Sequence, residues 1–427
     1  MHILYVTLRV PFPPTSGHRL RVWLLLRALA AEQHDVTLIS LADAQETETD
    51  LSALRSLCRS VSLVPRAHTS YESRDYRKLM AAVLSPRPYQ VLEVLSPELV
   101  SRVKELAQCR RFDLVICDQV VMVANLPPGL CIPVVVDSVH VAHELLDRYL
   151  DHMRNPLKRL YLWIEYLKMR PWEARVCSES SAVLACSDLE RRVFQRLSPG
   201  ARVFTVPNVV DLSEYTPTTG GDDATLLFSG TMEWYPNQNA VEFFASGILP
   251  ELRRLRPGVR LRVAGRGGAE SFRRRFRGQP EIEFTGFVPD MRDEIAGAAV
   301  CVVPLRIGSG TRLKILEAAA MAKPVVSTRL GVEGLDFEEG EEILLADDPR
   351  DFARAVAGLL ADPDRRRQMG QAARRRVEAQ YGVPALRQSL RDTFDKLRLS
   401  GALRMPSGQP SGTVEAKENN RPLTAES

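Results

Sequence analysis

The chain has 427 residues, 45% hydrophobic and 26% charged, and its 57 Lys and Arg nearly balance 53 Asp and Glu, leaving a net charge of +4. That length predicts two or three domains, and the absence of a basic stripe set apart from acidic neighbours argues against a nucleic-acid partner. No run approaches the roughly 18 uninterrupted apolar residues of a spanning helix; the nearest, 114–136, is broken by Asp118, Asn125 and a Pro-Pro-Gly turn.

The opening "MHILYVTL" reads as a strand, with no basic segment, apolar stretch and small-residue cleavage site ahead of it, so a signal peptide is not expected. A loop, "RVPFPPTSGHRLR" (9–21), follows; Ser16 and Gly17 stand at the turn before a helix over about 20–33. Then come "DVTLISL", "DLVICD" and "IPVVVD", short apolar runs of which two end in aspartate, followed by "SAVLACS" and "ARVFTVPNVVD". Runs of this kind between helices predict buried parallel strands in βαβ units. Seven cysteines form no CxxC pair; Cys117, Cys131, Cys186 and Cys301 lie in apolar runs and are expected to be reduced core residues rather than disulfides or metal ligands.

Between "IPVVVD" and "SAVLACS" lies "LLDRYLDHMRNPLKRLYLWIEYLKMRPWEARV" (145–176), which mixes Leu, Tyr, Trp and Met with seven Arg or Lys. Two readings stay open: an interfacial helix lying on anionic lipid, or a helix packed on the sheet. At "TPTTGGDD" (216–223) the composition turns to that of a linker. A second alternating series begins there: "ATLLFSG", a helix around 238–256, "VRLRVAGRG", "IEFTGFV", a helix around 290–298, "AVCVVPL", a further helix and "PVVST". The predicted fold is α/β, with two doubly wound, Rossmann-like domains facing each other across a ligand-binding cleft at the carboxyl ends of their strands. The expected boundaries are 1–212, 213–377, a helix at 378–398 returning to the first domain, and a disordered Ser/Gly/Pro-rich tail at 399–427.

The clearest chemical signal is "GSGTRLKILEAAAMAKPVV" (308–326). A glycine-rich turn feeding a helix N-terminus offers backbone N–H groups and the positive end of the helix dipole, a seat for phosphate. Arg312 and Lys314 stand where helix preference favours acids, which an anionic ligand would explain. Neither a GxGxxG fingerprint nor a Walker loop is present, which takes away most support for the usual nicotinamide and ATP readings.

In order along residues 1–398, the "PPTSG" loop, "VPNVVDLSEYTP", "LLFSGTMEWYPNQNAVEFF", "LRVAGRG", "IEFTGFVPD" and "PLRIGSGTRLKILEAAAMAKPVVSTRLGVEGL" resemble the group 1, or family 4, glycosyltransferases of the GT-B fold. The resemblance implies a retaining, metal-independent hexosyltransferase working from a nucleotide-diphosphate sugar, with no other cofactor, in cell-surface polysaccharide or glycolipid synthesis. Its acceptor would be a glycan, a lipid-linked or a small molecule, and its location cytoplasmic or peripheral at the inner membrane face. By the same carry-over Gly17, Gly230, Thr231, Gly308, Ser309, Gly310, Thr311, Arg312, Lys314 and Glu317 bind the donor, Arg312 and Lys314 at the diphosphate and Glu317 at the ribose hydroxyls. Many relatives carry their key Arg and Lys in the stretch corresponding to "SGTMEWYPNQ" (229–238), which here has neither. Glu317 matches the second acid of the family's E-x7-E motif, and Ser309 stands in place of the first.

Asp137 and His140, at the end of "IPVVVDSVH", are the candidates near the anomeric centre; His140 reads equally as a surface loop residue, and His143 lies a helical turn further on. Asp118 is expected on the acceptor side, although a helix cap would look the same. Ser309 leaves open a degenerate GT-B protein that binds nucleotide sugar or glycan without turnover; a nearer rival within the same fold is a sugar-nucleotide epimerase.

Overall fold

The computed structural model describes residues 1–43, 48–66, 82–217, 222–268 and 270–403. The short apolar runs form the strands of two all-parallel sheets. The first sheet comprises β1 (His2–Thr7), β2 (Asp35–Ala42), β3 (Ser60–Pro65), β4 (Leu114–Asp118), β5 (Val134–Ser138), β6 (Ala182–Ala185) and β7 (Val203–Thr205), in the order β3-β2-β1-β4-β5-β6-β7. The second comprises β8 (Asp222–Ser229), β9 (Arg260–Ala264), β10 (Ile282–Gly286), β11 (Ala298–Val303), β12 (Val325–Ser327) and β13 (Leu344–Leu345), in the order β10-β9-β8-β11-β12-β13. β4 and β11 are buried along their whole length, as strands covered by helices on both faces must be.

Strand order reverses beside β1 and β4 in one sheet and beside β8 and β11 in the other. The loops leaving these four strands therefore open onto the crevices where doubly wound sheets bind ligands. They carry the 9–17 segment, Asp118, Gly230 and the 308–311 turn.

Several boundaries differ from expectation. The first helix starts at Gly17 rather than Leu20, because Ser16 caps it by accepting from the Arg19 N–H at 3.4 Å. Asp222 and Asp223 belong to β8 rather than to a linker. The carboxyl-terminal stretch is two helices, Pro363–Gln380 and Val383–Leu399, joined at Tyr381 and Gly382. The second of these buries Leu386, Leu390, Phe394 and Leu397 against the first domain, and its Arg387 and Arg391 pair with Glu32. The tail reading falls largely on 404–427, outside the described residues. Five cysteines are buried, but Cys131, expected in the core, is exposed in the loop before β5, and Cys109 is exposed at the end of the helix Pro97–Cys109.

Candidate functional site

The second-domain half begins where β11 ends. Leu305 and Ile307 are fully buried and anchor the loop that presents Gly308–Thr311. Gly310 has φ +82°, and a Cβ there would lie 2.5 Å from the Val139 carbonyl oxygen of the first domain, so only glycine allows this approach. Arg312 then caps the helix Leu313–Ala320 without a side-chain hydrogen bond. It is only 5% exposed, yet none of its three guanidinium nitrogens has a partner. Burial pushes its pKa down to about 10, against the opposing pull of Glu333 and Glu190. A buried cation left in this state is costly.

Lys314 is the second residue of this helix. Its Nζ is 3.1 Å from Asn237 Oδ1 and 4.0 Å from the centre of the Phe228 ring, and burial lowers its pKa to about 7. Glu317 accepts from the Tyr215 hydroxyl at 3.2 Å, with its pKa raised by burial. Gly230, at φ +150°, ends β8 so close to Lys314 that a Cβ would fall 2.9 Å from Nζ. The Thr231 hydroxyl donates to the Arg266 carbonyl at 3.2 Å, tying the β8 and β9 loops together. The positive group beside Gly230 therefore comes from the helix Leu313–Ala320, not from 229–238.

On the first-domain side, Asp118 is fully buried at the end of β4. Its Oδ2 accepts from the Thr7 hydroxyl at 2.8 Å and the Leu8 N–H at 3.1 Å, and lies 2.6 Å from His18 Nε2. Burial alone would raise its pKa; His18 and these hydrogen bonds outweigh that and hold it below the ordinary value. Gly17 lies against the second domain, its Cβ position 3.1 Å from Leu313 Cδ1.

Asp137 sits in the interior rather than on the cleft. Both its oxygens accept from Arg21, with contacts of 2.6 to 3.1 Å, and both residues are buried. Arg21 also donates to Asn208 Oδ1 at 2.8 Å, and Asn208 Nδ2 donates to the Thr311 hydroxyl at 2.6 Å. Asp137, Arg21 and Asn208 thus form a rigid chain from the first sheet to the 308–311 turn.

His140 is half-buried beside Gly310, whose Cβ position lies 3.3 Å from its own Cβ. Burial lowers its pKa, leaving it mainly neutral at pH 7, although Glu173 opposes the shift. His143 faces Glu173 instead, with Nδ1 2.6 Å from Oε2. The same carboxylate accepts from the Ala142 and His143 N–H groups at 2.8 and 2.9 Å, capping the helix Ala142–His152 from the neighbouring helix Pro156–Glu179.

Ser309 Oγ accepts from the Val141 N–H at 3.2 Å. Arg148 donates to the Gly308 carbonyl and pairs with Glu333 at 2.7 Å. With Asn208 on Thr311, three positions of this turn, Gly308, Ser309 and Thr311, are bonded to the first domain. The cleft beside them is lined by Glu144, Arg148, Glu190, Ser309, Gly310 and Glu333. Burial raises the Glu190 carboxyl to about 7, and its Oε2 lies 2.6 Å from the Cys186 thiol.

The structure brings Gly308–Arg312, Lys314, Glu317, Gly230 and Thr231 to one side of the cleft, and Gly17, His140 and the Asp118–His18 pair to the other. His18, Arg21, Arg148 and Asn208 carry contacts that sequence reasoning did not assign. His18 and Arg21 fall in the first quoted loop, Arg148 in the 145–176 stretch and Asn208 in the "VPN" turn, but nothing in those motifs pointed to these contacts.

Comparison with known proteins places both halves. The model described as "Glycosyltransferase Family 4" matches residues 15–214, and that described as "Glycosyl transferases group 1" matches 223–362. The chain is 21% identical over 365 residues to an uncharacterized 44.6 kDa protein in the cps region of Klebsiella pneumoniae, covering 83% of this chain and 89% of that one. Among solved structures it is similar to sucrose-phosphate synthase from Thermosynechococcus elongatus, with TM-score 0.70 and 18% identity over 94% of this chain and 100% of the other. It is also similar to Anabaena HepE in complex with UDP and glucose, with TM-score 0.64 and 14% identity over 93% and 100%.

Proposed function

The chain belongs to the group 1 glycosyltransferases of the family 4 type and has the two-domain GT-B fold, and on that premise we propose that it transfers a hexosyl group from a nucleotide-diphosphate sugar to an acceptor hydroxyl, with retention and without a metal ion. The observation that carries this reading is Arg312, a buried guanidinium with no hydrogen-bond partner at the mouth of a glycine-rich turn. A diphosphate satisfies that charge, and the positive end of the helix Leu313–Ala320 adds to it.

When the bond from the anomeric carbon to the diphosphate breaks, its electron pair stays with the departing oxygen. Arg312, Lys314 and the N–H groups of the turn stabilise the charge that develops there, the largest resource for such a step. Attack from the same face sets the acceptor hydroxyl beside the departing oxygen, which takes its proton. Glu317 accepts from the ribose hydroxyls, oriented by Tyr215. Neutral His140 hydrogen-bonds the donor sugar, and the His18–Asp118 pair faces the acceptor. Anabaena HepE, solved with UDP and glucose, supports a nucleotide-sugar ligand, and the relative from the cps region supports a place in cell-surface polysaccharide or glycolipid synthesis.

Purified protein is incubated with UDP-, GDP- and ADP-sugars and candidate acceptors in the presence of EDTA, and nucleoside diphosphate release is measured. Release from one donor class is expected, with loss in Glu317→Ala. No release and no thermal shift with any nucleotide would sink the enzyme reading. Ser309, committed to Val141, supports a second reading in which donor is bound without turnover. Thermal protection without release, in the presence of glycan and lipid extracts, favours it; a product still joined to nucleotide indicates an epimerase.

A further inference from the structure

The long helix Pro156–Glu179 is divided along its length. Its carboxyl-terminal half buries Met169, Glu173, Val176 and Cys177 in the first domain. The first turn does not pack in this way: residues 154–160 are exposed throughout, and packing begins at Leu162. Leu157 is 78% exposed, Leu160 53%, Trp163 50% and Leu167 49%. At about 100° per residue these four fall within roughly a third of the helix circumference, on the side opposite the buried stripe. A soluble helix ordinarily turns such a face inward. Leu84, 82% exposed, lies close by, because Lys168 Nζ donates to the carbonyls of Ala82 and Val83 at 2.7 and 3.1 Å.

Charge indicates what covers this face. Arg154, Lys158, Arg159 and Arg170 are exposed around the stripe, and none makes an ion pair among the described residues. From 152 to 164 there is no acidic residue; Asp147 and Asp151, on the preceding helix, are the nearest exposed acids in the chain. A tryptophan and leucines rimmed by unpaired cations suit the boundary between acyl chains and anionic headgroups. Another protein surface would leave these cations to be matched one by one.

We infer that the exposed stripe Leu157–Leu160–Trp163–Leu167, with Arg154, Lys158 and Arg159, is a docking face for an anionic phospholipid bilayer. The face adjoins the cleft. Tyr149, just before the turn into this helix, stacks edge-on with Tyr235 of the second domain at 5.8 Å, immediately after the Gly230 loop. Docking there brings the cleft mouth to the bilayer, so an acceptor held at the membrane surface would be within reach. That last clause rests on the transferase reading; the docking face does not.

Full-length protein is sedimented with phosphatidylcholine vesicles and with phosphatidylcholine–phosphatidylglycerol vesicles, with neither donor nor acceptor present. Binding to the anionic vesicles alone, weakening as salt rises, is expected. Lys158→Gln with Arg159→Gln should lower partition about thirtyfold, and Leu160→Ser with Trp163→Ser should abolish it. All four positions are exposed, and an unchanged thermal transition shows that the variants remain folded. Absence of binding to anionic vesicles overturns the inference. So does a dimer in sedimentation velocity that Leu160→Ser with Trp163→Ser dissolves, which would make the face a contact between two copies. Because donor turnover is not read, failure here leaves the transferase reading intact, and the reverse holds as well.

Discussion

Arg312 and Lys314 are costly to the free protein and useful only when an anion is present. Replacing Arg312 by Met removes an unpartnered buried charge, which by precedent is neutral or stabilising by about 1–4 kcal/mol. The same change removes a charged contact to the leaving group and should lower kcat/KM at least about a hundredfold. A higher melting temperature together with lost turnover is therefore expected of Arg312→Met, measured by calorimetry and steady-state rates; a less stable protein with unchanged turnover would make the guanidinium a packing element. Lys314 gives a pH signature. Its folded pKa of about 7 lies below the ordinary 10.5, so between these values the free side chain is mainly neutral and the unfolded chain holds the extra proton. The free protein thus gains stability from this group as pH rises through that window. A diphosphate draws the proton back, so at pH 8 donor binding should take up a proton, and affinity should fall up to about tenfold per pH unit above 7. Titration calorimetry in buffers of different ionisation enthalpy reads this directly. Loss of the effect in Lys314→Gln is expected; its persistence would assign the proton elsewhere. The two cations could be singled out in the sequence because they break the charge preference of a helix start. His18, Arg21 and Asn208 could not, since their partners lie 100 to 187 positions away and meet them only once β1, β4 and β5 are in register.

At the scale of elements, strands were the most legible features, because a strand buried on both faces has to be an apolar run wherever it occurs. The helix ends and the uses of the helices were less so. Residues 145–176 were open to two readings, and the structure divides them: from Leu162 on, one side of the long helix packs on the core, while its first turn and its outer side stay exposed. Periodicity could not locate the division, since both faces of its middle are apolar. Nor could it show that Glu173 reaches across to cap a neighbouring helix whose own N-cap, Val141, has no capping oxygen. Glu173→Ala orphans two backbone N–H groups and a buried imidazole at once. Lost caps cost about 1 kcal/mol and buried orphaned donors about 1–3 kcal/mol each, so urea denaturation should show a loss of roughly 3 kcal/mol. Val141 also holds Ser309, so the turn should loosen and KM for donor should rise. A loss well under 1 kcal/mol would mean that water replaces the carboxylate.

Across the whole molecule, the two halves meet through a few polar bonds on the 308–311 turn and through apolar contacts, Tyr149 on Tyr235 and Val210 on Leu316 and Ala319 among them, and the last helix returns to the first domain as a brace. Arg148 and Glu333 are 23% and 32% exposed at their side chains, so their pair is screened and contributes about 0–1 kcal/mol. Adding the bonds from Val141 to Ser309 and from Asn208 to Thr311, each about 1 kcal/mol net, the polar bonds at the turn contribute only a few kcal/mol to closure. An open form is then populated at the level of about 0.1–10%, enough for a bulky donor to enter. Arg148 holds both the Gly308 carbonyl and Glu333, so Arg148→Ala should shift the balance furthest for one substitution. Solution scattering on the free variant should give a larger radius of gyration than the parent, with the difference shrinking when nucleoside diphosphate is added. Raising the salt concentration should expand the parent in the same direction, because the exposed pair is the salt-sensitive part of the closure. Turnover should fall while donor association quickens, since the open form admits ligand but leaves Gly308–Thr311 away from His140. Scattering curves that coincide for parent and variant at every salt concentration would show that buried packing, not these polar bonds, holds the cleft closed.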